Sequence, residues 1–190
     1  MPASSAAIRA MFAHVFGLAL LGLATLAQAA PQVASVESPG KVLKVSLVLD
    51  GGTARYRVER FGDPVVADSK LGFELRDGRL DRDFALLGQQ QRSVDDTWEQ
   101  PWGERRVTRN HFNELTVQLA ETTGSKRRLD VVFRVYDDGL GFRYVFPEQP
   151  NLREAIIDDE LTEFAIAPDS TAWWIPAGEP IHYEYLYQRT

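Results

Sequence analysis

Cysteine is absent from the 190 residues, and histidine and methionine are scarce, with three and two copies. Without thiols the chain can form no disulfide, no thiolate zinc site, no iron–sulfur cluster and no cysteine nucleophile. Basic residues are also in deficit, since 21 Lys and Arg face 27 Asp and Glu and the formal net charge is −6. A nucleic-acid-binding domain needs a dense basic surface, so this composition disfavours nucleic acid as a partner.

Several enzyme signatures are missing as well. The sequence has no G-x-S-x-G nucleophile elbow, no Walker phosphate loop, no H-E-x-x-H zinc motif and no G-x-G-x-x-G dinucleotide fingerprint. What is present is a globular composition, 44% hydrophobic and 25% charged. A chain of this length and composition can bury one sizeable core.

The first 30 residues differ from the rest. Arg9 is the only charged side chain there, an apolar run follows over residues 11–27, and Ala27-Gln28-Ala29 ends it. This order predicts a secretory signal peptide over residues 1–29 and a mature chain that begins at Ala30, in the periplasm or outside the cell. A membrane anchor is the alternative, but a span needs about 20 apolar residues and this run is shorter. No later run is long enough, so we expect no membrane contact after cleavage.

Beyond Pro31 the apolar residues recur with the period of β-strands. Val, Phe and Tyr are frequent in these segments and pack well on a pleated surface. The turn sequences Asp50-Gly51-Gly52 and Asp137-Asp138-Gly139 predict two hairpins, the second in preference to a cation-binding loop. The pattern predicts an all-β antiparallel sandwich. The predicted strands lie within residues 42–49, 56–61, 112–119, 129–135 and 142–146.

Two segments receive less regular predictions. Residues 152–164 fit either an amphipathic helix or a strand followed by a bulge, and periodicity does not decide between them. Residues 80–96 form the most polar stretch, with three consecutive glutamines, and are predicted to be a long loop.

One candidate sugar-binding cluster is WEQPWGERR at residues 98–106, in which Trp98 and Trp102 flank a carboxylate and two arginines follow Glu104. Indole faces can stack on the apolar side of sugar rings while carboxylates and guanidinium groups bind hydroxyls. The alternative is that both tryptophans pack inside the sandwich and Glu104 pairs with one of the arginines.

A second cluster lies near the end of the chain. Trp173 and Trp174 precede Glu179, His182 and Glu184, and the chain then ends on an aromatic-rich segment. That ending predicts a truncated gene product or a fragment of a longer protein.

These segments, in their order along the chain, resemble the N-terminal domain of glycoside hydrolase family 97, which comprises exported bacterial α-glucosidases and α-galactosidases. The resemblance includes FRVYDDG at residues 133–139 and WWIPA at residues 173–177. Its other segments are residues 36–39, 68–72, 98–105, 110–115, 142–144, 160–164 and 183–187.

The resemblance implies a large antiparallel β-supersandwich like that of galactose mutarotase. It also implies that the catalytic (β/α)₈ barrel is absent from this chain, so no catalytic residue is assigned here. In the family this domain forms one wall of the active site, and the glutamate that maps onto Glu184 is a ligand of the active-site Ca²⁺, which it shares with the barrel.

The expected function is therefore that of the N-terminal domain of a calcium-dependent, exo-acting α-glycosidase that takes α-linked oligosaccharides. Trp98, Trp102, Glu104, Trp173 and Trp174 are the candidate substrate-binding residues. A stand-alone carbohydrate-binding sandwich is the main alternative. A mutarotase-like enzyme is a weaker one, because fold analogy alone does not establish its acid–base chemistry.

Overall fold

The structure is a computed structural model that describes residues 33–178 and 185–190. Within these ranges the chain contains strands and turns but no helix, and hence no helix that could cross a membrane. The signal peptide predicted for residues 1–29 lies outside the described residues. So do Glu179, His182 and Glu184.

Thirteen strands form in the described ranges. They are β1 (Val33–Glu37), β2 (Leu43–Asp50), β3 (Thr53–Arg60), β4 (Asp63–Lys70), β5 (Phe73–Leu75), β6 (Gly78–Leu80), β7 (Phe84–Glu99), β8 (Val107–Glu121), β9 (Arg128–Val135), β10 (Leu140–Val145), β11 (Ile157–Glu160), β12 (Trp173–Trp174) and β13 (Gln188–Arg189).

Two four-stranded antiparallel sheets make up the sandwich. Their strand orders are β1-β2-β3-β4 and β10-β9-β8-β7, so each sheet pairs strands that are consecutive in the chain. Alternate residues of β2, β3, β8 and β9 point into one shared core, as the period of two requires. The predicted all-β antiparallel sandwich is confirmed. Its most deeply buried side chains include Val45, Leu47, Tyr56, Leu115, Val117, Leu129 and Phe133.

Both predicted hairpins are confirmed. Asp50 pairs with Thr53 across a two-residue turn, in which Gly51 and Gly52 take φ values of +55° and +82°. Glycine adopts this left-handed conformation without a steric penalty, and a two-residue turn that matches the strand twist requires it.

The β9–β10 turn uses its aspartate structurally. An Oδ1 atom of Asp137 accepts a hydrogen bond from the backbone N–H of Gly40 at 2.7 Å, and this contact joins the turn to the β1–β2 connection. This contact supports the interpretation of the Asp-rich sequence as a hairpin turn.

The predicted loop at residues 80–96 is wrong over most of its length. Phe84–Glu99 forms β7, which pairs with β8 from Phe84 opposite Glu121 to Glu99 opposite Val107. β7 is an edge strand whose side chains are largely exposed, so no apolar period marks it. Backbone ladder bonds and polar cross-strand pairs stabilise it instead.

For residues 152–164 the structure contains the strand and not the helix. β11 pairs with β5, and the register shifts between Ile157 and Asp159, as in a bulged strand. The chain then continues along β4, where Ile166 forms a bridge with Val66 and the backbone carbonyl of Glu163 accepts a bond from the Tyr56 hydroxyl. Residues 157–167, here called the closing segment, thus join the small β11-β5-β6 sheet to the first sheet.

Candidate functional site

The β7–β8 hairpin extends beyond the sheet that contains it. β9 pairs with β8 only from Asn113 to Ala120, so residues 94–112 form a two-stranded ribbon, here called the arm, with no third strand within the described ranges. At the tip of the arm the backbone N–H of Gln100 donates to the carbonyl of Arg106 at 2.9 Å. The Gln100 side-chain amide also donates to the carbonyl of Arg105 at 2.8 Å. The tip is therefore a hydrogen-bonded turn of defined shape.

Both tryptophans of the first cluster are exposed, so the alternative of packing inside the sandwich is wrong. Trp98 is 51% exposed and Trp102 is 78% exposed. Within the described ranges no third strand lies beside the arm, so both rings remain accessible to solvent. Arg106 pairs with Glu99 at 3.2 Å, whereas Glu104 forms no ion pair with Arg105 or Arg106 in the part of the chain that the structure describes.

An open cleft of about 510 Å³ lies at the tip of the arm. It combines one indole face with a carboxylate, a guanidinium group and a carboxamide, which is a mixture of apolar and hydrogen-bonding surface. Gly103 takes φ of +101°, a conformation that favours glycine and that turns the chain around the cleft. The lining residues are Glu99, Gln100, Pro101, Trp102, Gly103 and Arg106. Neither Trp98 nor Glu104 belongs to them.

A charged cluster holds the base of the arm. Glu114 is buried in β8 and accepts hydrogen bonds from Arg92 of β7, at 3.0 Å from Nη2, and from Arg134 of β9, at 2.7 Å. The hydrogen bonds from Arg92 contribute most and those from Arg134 add to them, while burial opposes; together they lower the pKa of Glu114 to about 2. The guanidinium of Arg134 also lies 4.8 Å from the ring centroid of Phe112. These contacts fix three strands where the arm begins.

The second aromatic cluster lies on a different sheet. Trp173 and Trp174 form β12, where they pair with Arg189 and Gln188 of β13. The indole N–H of Trp174 donates to the hydroxyl of Thr190 at 2.9 Å. Trp173 is 65% exposed and Trp174 is 44% exposed. The five predicted substrate-binding residues thus divide between two ribbons, and Trp102 lines the cleft at the tip of the arm together with charged groups.

An apolar cleft of about 540 Å³ opens between the two main sheets, beside β10. Tyr56, Phe142 and Phe164 contact one another in it, with ring centroids 5.2 to 6.3 Å apart. Burial raises the pKa of Tyr144 to about 12, and its hydroxyl hydrogen-bonds that of Thr162 at 2.6 Å. The tyrosine hydroxyls of this cleft are thus engaged with the closing segment, and its aromatic rings serve packing.

No group of three or more His, Cys, Asp and Glu side chains that could hold a metal ion exists in residues 33–178 and 185–190. Ca²⁺ takes six to eight oxygen ligands. The described residues therefore do not fit a calcium site by themselves, and Glu184 lies outside them.

Glu99, Gln100 and Arg106 lie within the cluster predicted from the sequence but were not among the five candidate substrate-binding residues. The hairpin turn between Glu99 and Arg106 places these two side chains next to each other. That placement becomes visible only when residues 84–99 are recognised as a strand.

The profile of the family described as "Glycosyl-hydrolase 97 N-terminal" matches residues 36–190. Among curated proteins, a "Probable retaining alpha-galactosidase" of Streptomyces bingchenggensis is 28% identical over 134 residues, which is 70% of this chain and 20% of that protein. A "Retaining alpha-galactosidase" of Bacteroides thetaiotaomicron is 28% identical over 156 residues, 82% of this chain and 22% of that protein. The chain spans about a fifth of the length of these curated relatives.

Solved structures of family 97 enzymes also match this chain. A glycoside hydrolase family 97 enzyme from a Pseudoalteromonas species, in complex with panose, superposes with a TM-score of 0.76 at 37% identity, over 83% of this chain and 24% of that one. The same values hold for its complex with acarbose. A β-arabinopyranosidase shares the fold, with a TM-score of 0.67 at 24% identity over 75% of this chain and 22% of that one.

Proposed function

This chain belongs to glycosyl hydrolase family 97 through its N-terminal domain, and on that premise we propose that it serves as the N-terminal β-sandwich of an exo-acting α-glycosidase. The observation that carries the proposal is the match of the family profile to residues 36–190, which include nearly every strand of both main sheets. In the complete enzyme the sandwich forms one wall of the active site. The catalytic groups belong to a barrel domain outside these 190 residues.

The proposed substrates are α-linked oligosaccharides that end in glucose or galactose. Two curated relatives are named retaining α-galactosidases, and a related family 97 enzyme has been solved with panose and with acarbose.

We further propose that Glu184 donates one carboxylate to a Ca²⁺ ion whose other ligands come from the barrel. The support is the family membership, since Glu184 occupies the position of the calcium-ligating glutamate in the family resemblance. The bound ion would supply a fixed positive charge beside the reacting sugar. The role of this chain is to place one oxygen ligand at the boundary between two domains.

Substituting Glu184→Gln in the complete enzyme should lower calcium affinity and turnover by at least about tenfold, because the Ca²⁺ ion loses a charged oxygen ligand and fewer carboxylates balance its charge. Calcium titration and hydrolysis of nitrophenyl α-glucoside and α-galactoside measure both effects. The exposed Glu154 provides the matched control, Glu154→Gln, which should leave both quantities unchanged. The 190-residue chain alone should hydrolyse neither glycoside, since it lacks the barrel acid and base. Unchanged calcium affinity and turnover in Glu184→Gln would remove that residue from the site.

Export is the remaining part of the proposal. The charged start, apolar centre and Ala27-Gln28-Ala29 ending support cleavage after Ala29 and a periplasmic or secreted product. In a Gram-negative host the protein should be recovered from the periplasm with Ala30 as its first residue. Mass spectrometry of the purified protein tests this, and an intact chain from Met1 in the soluble cytoplasm contradicts it.

A stand-alone sugar-binding sandwich remains the second candidate because exposed tryptophans lie on two ribbons of the domain. The DNA downstream of the Thr190 codon separates the two. A reading frame that continues into alternating strands and helices supports the glycosidase.

A further inference from the structure

We propose that the tip of the arm is a saccharide-binding site, in which one sugar ring stacks on Trp102 and its hydroxyls bind Glu99 and Arg106. Only the choice of α-linked sugars rests on the function proposed above. The site itself is built entirely from residues of this chain and does not require the barrel.

The first argument is the exposure of Trp102 on a turn whose shape is already fixed. The ring is 78% exposed, although an indole contributes most to stability when it is buried. The two hydrogen bonds of Gln100 and the positive φ of Gly103 hold the turn without help from the ring. The fold therefore does not use this side chain for packing, and the rigid turn presents its face with little ordering cost on binding.

The second argument is the unused hydrogen-bonding capacity beside the ring. Arg106 donates from Nε and Nη2 to the same oxygen, Oε2 of Glu99, each at 3.2 Å. Nη1 of Arg106 and Oε1 of Glu99 have no hydrogen-bond partner in the part of the chain that the structure describes. A guanidinium group only donates and a carboxylate only accepts. Neighbouring sugar hydroxyls, which do both, match this pair.

The third argument is that the cleft offers one apolar face surrounded by polar groups. A protein partner needs a contiguous apolar centre from which charges are largely absent. Trp98 does not extend the apolar surface of the cleft, because it adjoins Glu99 in β7 and neighbouring strand residues point to opposite faces. One indole bordered by Glu99, Arg106 and Gln100 suits the amphipathic face of a sugar better than a protein surface.

The test is titration of the 190-residue chain with panose, an α-glucoside, and with raffinose, an α-galactoside, by calorimetry and by tryptophan fluorescence. Millimolar affinity is expected for at least one sugar, because the site is open and has a single ring. Trp102→Ala should weaken binding about tenfold or more, as for an exposed aromatic anchor. Trp102→Phe, which keeps an aromatic face, should weaken it less, and Glu99→Gln should weaken it without changing the melting temperature.

Phe61→Ala is the matched control, because Phe61 is a 66% exposed aromatic residue in the β3–β4 turn rather than on the arm. It should leave binding unchanged. The proposal is overturned if neither sugar binds at millimolar concentration, or if Trp102→Ala and Phe61→Ala have the same effect. It is also overturned if the chain self-associates and Trp102→Ala disperses the oligomer, which would make the arm a protein interface. Failure of the complete enzyme to cleave α-glycosides would refute the proposed function and leave this result standing.

Discussion

Replacing Arg127 with methionine should lower the free energy of unfolding by about 3–5 kcal/mol, the cost of removing one partner from a buried ion pair. The Arg127 side chain is 5% exposed, and its Nη2 atom lies 2.7 Å from Oε1 of Glu121, which is 9% exposed. Its other Nη atom lies 3.1 Å from Asp77, and the carbonyl of Arg79 accepts a further bond at 2.7 Å. The substitution leaves the buried carboxylate of Glu121 without its partner. Urea denaturation of the two proteins measures the loss.

Arg82→Met is the matched control, because it removes an arginine that is 56% exposed and pairs with Asp81 at 2.9 Å. Exposed pairs contribute about 1 kcal/mol or less, so this variant should remain close to the parent. Arg127→Lys should be intermediate, since it keeps the charge but loses the planar fork that serves several acceptors. Equal losses of unfolding free energy in Arg127→Met and Arg82→Met would show that the buried ion pairs of Arg127 contribute no more to stability than an exposed pair.

Acidification should remove about 1–2 kcal/mol of stability through Glu114. Hydrogen bonds from Arg92 and then Arg134 lower the pKa of Glu114 from 4.5 to about 2 in the folded protein. The charged form is thus favoured by folding, so this stability is fully present above the unfolded pKa and declines as the pH falls from about 5 towards 2. The full shift would correspond to about 3 kcal/mol, but both arginines are substantially exposed and solvent screens the pair.

Thermal unfolding of the parent and of Glu114→Gln, at about pH 6 and about pH 3, measures this contribution. The parent should lose more stability between these conditions than the variant, whose amide does not titrate. Glu154→Gln, at an exposed position, should keep the acid sensitivity of the parent. If Glu114→Gln showed the same pH dependence as the parent, the acid sensitivity would come from other carboxylates.

The sequence predicted the central strands and their hairpins because these segments bury one face. Leu115, Val117 and Leu119 alternate with polar residues, and Asp50-Gly51-Gly52 leaves little choice of turn. β7 has no such face over most of its length. Its stability comes from pairing with β8. Backbone hydrogen bonds do not require apolar side chains at alternate positions, so the sequence of β7 shows no strand period. The strand was consequently predicted as a loop.

The same error concealed the pairing of Glu99 with Arg106 at a site that the sequence had otherwise indicated. While β7 is taken for a loop, these two side chains have no defined relation. The sequence also did not predict contacts between residues that lie far apart along the chain. Arg127 joins Asp77 across 50 residues, and no local pattern specifies that pair. Family resemblance supplied the fold and the domain context, whereas the exposure of the tryptophans had to come from the structure.

The order in which the strands pair also determines how much chain entropy is lost at each step of folding. Every pair in the two main sheets joins consecutive strands, so each hairpin closes a short loop. The closing segment is different, since the ion pair between Arg76 and Asp158 spans 82 residues. Loop-closure entropy grows by about 0.6 kcal/mol for each doubling of loop length, and a contact of this span is several doublings beyond a hairpin turn. The two meanders can therefore form independently of each other, whereas docking of the closing segment, like packing of one meander against the other, closes a long loop.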